Sequence, residues 1–328
     1  MKNSLLVGPE AEIIASLSPD LVSRGTIKHF WLHLVNDGLG APVYIPVIIA
    51  RGRKDGPVVG LTAAVHGNEL NGIPVIQKVF TEIDVDLLCG TVIGVPVVNV
   101  PSFFRRKRRF IDGVDLNHIM PGKKNGNVSQ VYAYRFMQRV VRQFDYLLDL
   151  HTASFGRINS YYIRADLNNE QTKKMALLQN SQIIVNNPPS DGTLRGAAAE
   201  LGIHAITLEV GNPNLFQKGM IRSSLTGIHN LLVYLGMTEG DIDEAIVAPV
   251  ICSDSYWLYT SSGGLLSVLP NITDKIKQDQ LIGIMRNVFG EVVAEYHAPE
   301  DGVVIGKSVS PVNQTGGRIL HLGKVVGD

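Results

Sequence analysis

The chain has little cysteine: Cys89 and Cys252 are the only two among 328 residues. Two thiols exclude a disulfide-stapled scaffold and any zinc module built from several cysteines, and they fit a reducing compartment. Net charge is also missing, since 30 Lys plus Arg balance 30 Asp plus Glu. Without a basic excess, neither nucleic acid nor a membrane surface is an expected partner. No run approaches the roughly 18 apolar residues that a membrane-spanning helix needs. Residues 1–20 carry Glu10, Glu12 and Asp20 and lack the basic start and clean apolar core of a signal peptide, so the expected compartment is the cytoplasm.

What the chain does have is apolar content. Hydrophobic residues make up 45% and charged residues only 18%, enough for a sizeable core and too apolar for wholesale disorder. At about 100–200 residues per domain, the length predicts about two domains. Between residues 42 and 235, strand-like runs (44–50, 57–65, 91–100, 146–150, 161–164, 182–186, 205–210) alternate with helical ones (71–83, 128–144, 170–179, 218–235). Strands apolar on both faces, interleaved with amphipathic helices, predict an α/β sheet covered on both sides. After residue 238 short runs punctuated by Gly, Pro, Asn and Asp predict an all-β region. The expected division is an α/β domain over 1–238, with an N-terminal β extension, and a β domain over 239–328.

Three strand ends carry chemistry. The run Ala63-Ala64-Val65-His66-Gly67-Asn68-Glu69 closes a strand with an imidazole and a carboxylate three residues apart. Tyr146-Leu147-Leu148-Asp149-Leu150-His151 closes another with a second imidazole. If these strands are parallel neighbours, His66, Glu69 and His151 converge into a three-ligand zinc site with an open position; cobalt or manganese would also bind such a set. Asp149, two residues before His151, points the same way and is either a partner for that imidazole or a structural carboxylate. Glu209 sits in the apolar run Ala205-Ile206-Thr207-Leu208-Glu209-Val210, where an unpaired charge is costly, so it needs a partner or a task such as general base. The segment from Arg109 to His118 offers Arg109 for polarising a carbonyl and Asn117 for donating to a substrate. The basic run 105–109 reads as a solvated loop or a local funnel for an anionic substrate.

The ordered set His66-Gly67-Asn68-Glu69, Arg109 through Asp115-Leu116-Asn117, Asp149-Leu150-His151-Thr152 and Glu209-Val210-Gly211 resembles the succinylglutamate desuccinylase/aspartoacylase family of zinc carboxypeptidase-like metallohydrolases. The resemblance spans roughly residues 42–235. It implies a three-layer α/β/α sandwich around a mixed sheet, one zinc ion held by His66, Glu69 and His151, Glu209 as the catalytic carboxylate, and Arg109 as the carbonyl-polarising residue. Asn117 would belong to the substrate-binding pair. Family members usually follow that Asn with an Arg that grips a substrate carboxylate, whereas this chain has His118, which lacks the permanently charged bidentate fork. Arg157 and Arg164, which follow the third ligand, are candidates to take over.

The expected activity is therefore zinc-dependent hydrolysis of the amide of a small N-acyl amino acid or related N-acyl amine. Two other readings stand beside it: a carboxypeptidase-like metallopeptidase, and a non-enzymatic zinc-binding protein retaining the fold. The expected partner is a small-molecule N-acyl substrate, and a homo-oligomer is compatible with the sequence. Residues 298–304 are similar to turns of biotinyl/lipoyl-type domains, but no matching carrier turn surrounds Lys307 or Lys324. The β region is therefore expected to shape the mouth of the site.

Overall fold

A computed structural model describes residues 11–189 and 192–327; the first ten residues of the expected N-terminal extension lie outside them. The chain runs β1 (Glu12–Ile14), β2 (Thr26–Asn36), β3 (Pro42–Arg51), β4 (Lys54–Ala63), α1 (Gly72–Glu82), β5 (Cys89–Val95), α2 (Val100–Arg105), α3 (Val128–Arg139) and β6 (Tyr146–His151). It continues through β7 (Arg157–Asn159), β8 (Tyr161–Ala165), α4 (Glu170–Leu177), β9 (Ile183–Asn186), α5 (Leu194–Glu200), β10 (His204–Val210) and α6 (Lys218–Tyr234). Beyond Tyr234 the described residues form strands but no helix: β11 (Val250–Tyr259), β12 (Gly264–Val268), β13 (Lys275–Ile276), β14 (Leu281–Arg286), β15 (Val292–His297), β16 (Gly302–Ser308), β17 (Val312–Asn313) and β18 (Arg318–Val325). No described helix is long and apolar enough to cross a membrane.

The expected three layers are present. Successive residues of a strand face opposite sides, and in β6 Leu147 packs with Tyr132 and Phe136 of α3 and Ala198 of α5, while Leu148 packs with Ile76 of α1, Met175 of α4 and Leu231 of α6. The helical run expected over 128–144 divides. A capping box between Asn127 and Gln130 starts α3, but Val140 leaves helical backbone (φ −123°, ψ −65°) before one 3-10 turn over Val141–Gln143. Two adjacent β-branched residues lose side-chain freedom in a helix, and both Val140 and Val141 are fully buried here, at 0% exposure.

Among the described residues the main sheet has 14 strands, in the order β1-β2-β3-β5-β4-β6-β10-β8-β9-β11-β18-β16-β13, with β7 paired to β16. Its centre, β5-β4-β6-β10, is parallel throughout. From β4 the chain passes through α1 to β5 on one side, yet β6 joins β4 on the other. This reversal opens a crevice at the carboxyl ends of β4 and β6, the place where open α/β sheets accommodate ligands.

The sheet does not stop at residue 238. Strand β11 pairs in parallel with β9 through Val250↔Ile183 and Cys252↔Val185, and β18, β16 and β13 extend the same sheet. A separate four-stranded antiparallel sheet, β15-β14-β12-β17, has its own core, in which Leu266, Ile282 and Met285 meet Ile319, Leu320 and Leu322.

Candidate metal centre and its cavity

The loop after β4 is bent and pinned. Ala64 takes φ +51°, the left-handed region, which strains a residue bearing a Cβ by roughly 1–2 kcal/mol. The β5–α2 connection holds the bend: Val98 N and Asn99 N donate to the carbonyls of Ala63 and Ala64, and Asn99 Nδ2 donates to the Val65 carbonyl. Gly67 lies so close to α2 that a Cβ there would meet the Ser102 carbonyl carbon at 2.1 Å and Phe103 N at 2.3 Å. Within His66-Gly67-Asn68-Glu69, the glycine is thus required by close approach and the two flanking donors are thrown into the crevice.

Parallel pairing of β4 with β6 (Ala63↔Leu150) then brings His151 beside them. His66 Nδ1 is 2.9 Å from Glu69 Oε1, His151 Nδ1 is 3.0 Å from Glu69 Oε2, and the two Nδ1 atoms are 3.3 Å apart. All three side chains are buried, and their donor atoms lie within 4.8 Å of one another. The opposite ring nitrogens are taken. His66 Nε2 is bonded to Asp115 Oδ1 at 2.8 Å, and His151 Nε2 to Asp149 Oδ2 at 2.7 Å, with Thr62 Oγ1 donating to Asp149 Oδ1 at 2.7 Å. A carboxylate on Nε2 leaves Nδ1 able to offer a cation its lone pair in place of the proton it otherwise gives Glu69, the arrangement that orients imidazoles toward a metal. Two lone pairs and a carboxylate packed this tightly fit a single small divalent metal. Burial pushes the Glu69 carboxyl up, but the charge of His66 and hydrogen bonds from both imidazoles outweigh it and hold the group well below the usual carboxylate range. Burial likewise raises Asp115, and the hydrogen bond and charge of His66 together with Arg108 bring it far down.

Glu209 is delivered by register. β10 pairs in parallel with β6, setting Glu209 directly opposite His151, and pairs with β8 on its other side. Asn159 Nδ2 donates to Glu209 Oε2 at 3.2 Å, and Arg164 Nε lies 3.6 Å from Oε1. Burial raises the Glu209 carboxyl above its ordinary value despite the charges of Arg164 and His151. The following loop, which its Gly211-Asn212-Pro213 sequence would make mobile, is instead tied at several points. Asn212 N donates to Gln217 Oε1, Asn214 N to the Asn68 carbonyl, and Asn159 N to Asn212 Oδ1.

These groups open into a cavity of about 580 Å³, lined also by Arg109, Asn117, His118, Arg157 and Arg164. The arginine set against the donor group is Arg108. Its Nη1 bonds Glu69 Oε1 (2.9 Å) and Ser154 Oγ (2.6 Å), and its Nε bonds Asp115 Oδ2 (2.9 Å). Arg109, which the resemblance singles out, reaches the Gly113 carbonyl at 3.3 Å. Both adjacent arginines line the cavity, and which of them reaches the donor group depends on the turn between α2 and residue 115, which spacing does not reveal. Asn117 accepts the Leu194 N–H on Oδ1 at 2.7 Å, and His118 is exposed at the cavity's edge. Sequence reasoning missed Arg195, Trp257, Arg318 and His321, all of which line the cavity. The last three come from β11 and β18, whose runs carry no motif.

Fold and site together define an α/β protein with its chemistry at the carboxyl ends of a mixed sheet, around a buried His-Glu-His group. The description of the succinylglutamate desuccinylase/aspartoacylase catalytic domain matches residues 55–235. The chain belongs to that family. It is 26% identical over 321 residues to the N-alpha-acetyl-L-2,4-diaminobutyric acid deacetylase of Halomonas elongata, covering 94% of this chain and 93% of that one. Among solved structures, the product-bound ectoine utilization protein EutE (DoeB) of Ruegeria pomeroyi superposes with a TM-score of 0.84 at 21% identity, covering 92% of this chain and 96% of that one. A succinylglutamate desuccinylase/aspartoacylase of Rhodobacter sphaeroides gives 0.85 at 19% identity, covering 95% and 99%. The two structural likenesses establish the fold, including the β strands beyond residue 238.

Proposed function

We propose that the protein is a zinc-dependent deacylase that hydrolyses the amide bond of a small N-acyl amino acid or related N-acyl amine. The observation that carries this reading is the placing of Glu209 opposite His151 across β6 and β10, beside the His66–Glu69–His151 donors. Those three side chains would hold one zinc ion through His66 Nδ1, His151 Nδ1 and the Glu69 carboxylate. When bound, zinc supplies Lewis acidity and lowers the pKa of water in its reach.

The chain's own groups perform the rest. Glu209 takes a proton from the attacking water on a carboxylate oxygen and passes it to the amide nitrogen as the C–N bond breaks. The Arg108 guanidinium, on the donor side of the cavity, stabilises the negative charge that develops on the carbonyl oxygen. Asp115 and Asp149 keep both imidazoles in the tautomer that faces the metal. The products are a carboxylate and a free amine. The name of the Halomonas relative makes acetyl the first acyl group to test.

The deciding experiment is metal analysis of the purified protein together with amine release across N-acyl amino acids, with dipeptides as the contrasting panel. Stoichiometric zinc and release from the N-acyl set are expected. Glu209→Gln should keep the zinc and lower turnover about 10²–10⁴-fold. Preference for dipeptides would favour the metallopeptidase, and zinc without hydrolysis of either panel would favour the non-enzymatic reading.

A further inference from the structure

Strand register fixes where Glu209 leaves the backbone, but the direction of its carboxylate depends on what the two oxygens meet. Oε1 lies 3.6 Å from Arg164 Nε, beyond hydrogen-bond reach, and Arg164 Nη2 is given to the Tyr162 hydroxyl at 2.8 Å. Oε2 has the closer partner, Asn159 Nδ2 at 3.2 Å. Chemistry decides which end of that amide faces Glu209. A carboxylate only accepts, so it takes the NH2 end and leaves the amide oxygen pointing away. Asn159 Oδ1 then rests against the backbone of Gly306, where a Cβ would stand 2.3 Å from it and 2.8 Å from the Ile158 carbonyl oxygen. Glycine permits that approach because it has no side chain.

Asn159 hangs from the C-terminal strands and not from those that bear the metal donors. Strand β7 pairs with β16 through Arg157↔Ser308, Ile158↔Lys307 and Asn159↔Gly306. The next residue, Ser160, gives its N–H (3.0 Å) and its hydroxyl (2.9 Å) to the Ile305 carbonyl. The Asn159 N–H goes to Asn212 Oδ1, and the residue is 6% exposed. Its amide is therefore gripped at the backbone on two sides and at its oxygen by Gly306.

We propose that Asn159 is a positioning residue for Glu209 and that β16 sets it through Gly306, so that the segment after residue 250 governs turnover as well as bounding the cavity. This deepens the deacylase reading and rests on it for the task of Glu209. Proton transfer needs the accepting oxygen within hydrogen-bond reach of the water. A carboxylate free to turn spends part of its time misdirected, and the loss falls on the chemical step rather than on substrate binding.

The test uses the full chain, loaded with zinc for kinetics, and N-acetyl-L-2,4-diaminobutyrate as the probe. Asn159→Ala should lower kcat about tenfold and leave KM within about threefold. Asn159→Asp keeps the size but loses the donor and sets a like charge beside Glu209, so it should lower kcat further, about a hundredfold. A side chain that only filled space would give the opposite order, with aspartate near the parent. Gly306→Ala, outside the cavity's lining, should lower kcat about threefold or more with its zinc content kept. Crystal structures separate this idea from the deacylase reading, because they need no turnover. The Glu209 carboxylate should hold one orientation in the parent and a rotated or divided one in Asn159→Ala and Gly306→Ala. If the probe releases no amine, that difference still supports the proposal. An unmoved carboxylate in both variants, or parent turnover in Asn159→Asp, overturns it.

Discussion

His66 and His151 turn the same ring nitrogen toward each other: their Nδ1 atoms lie 3.3 Å apart while each Nε2 is held by its own aspartate, Asp115 or Asp149. Neither ring can rotate without breaking a short bond to a carboxylate. The donor set is thus oriented by two aspartates outside it, and the affinity for a metal would depend on them as well.

Asp149→Asn tests that dependence. The change removes the carboxylate that fixes the His151 tautomer, and the affinity for zinc should fall about 10–100-fold in chelator competition. An unchanged affinity in a variant with native circular dichroism would mean that the aspartate only fills space.

The two neighbouring arginines separate cleanly by substitution. Arg108→Met should lower kcat/KM about 10²–10³-fold, because the guanidinium nearest the donor set is lost. Arg109→Met should stay within about threefold of the parent, since its contact is a loop carbonyl. The reverse order of effects would return the oxyanion role to Arg109.

His321 predicts how stability varies with acid. Burial first, and then the charges of Arg164, Arg157 and Arg318, hold its imidazole well below the ordinary 6.5. In the unfolded chain it takes up a proton below about that value, whereas in the folded chain it stays neutral. Stability is therefore full above pH 6.5 and falls as the pH drops below it. Between pH 7 and pH 5 the Tm of the parent should drop more steeply than that of His321→Gln. Parallel slopes would show that the imidazole does not carry the effect.

The two thiols should react differently. Cys252 is buried at 0% exposure, and burial pushes its thiol up to about 12; Cys89 is half-buried. Iodoacetamide at pH 8 should label Cys89 and spare Cys252 in the folded protein, as read by peptide mass spectrometry. Comparable labelling of both would show that the β9–β11 junction opens.

Much of the donor set was legible because strand ends are written locally. An apolar run closing on His66 or His151 has one exit, and the single assumption of parallel neighbours, which the β4–β6 pairing meets, brings the two together. Glu209 stood out as a charge in an apolar run. Arg108 did not, because a turn geometry and not a residue pattern selects it over Arg109. Trp257, Arg318 and His321 were silent for a different reason. They face the cavity only because β11 and β18 join the sheet beyond β9, through pairings between residues 59 or more apart that no local signal encodes. The expected boundary at 238 rests on a change of texture, and the β9–β11 ladder crosses it all the same.

Because that ladder stitches the segment after residue 250 onto the sheet that carries the imidazoles, the two sides of the cavity hold a fixed distance from each other. The side chains at 157, 257 and 318 nevertheless lie on strands that bear none of the donors. Changes at those three positions would therefore reshape that wall of the cavity and leave the two imidazoles and the carboxylate where they are.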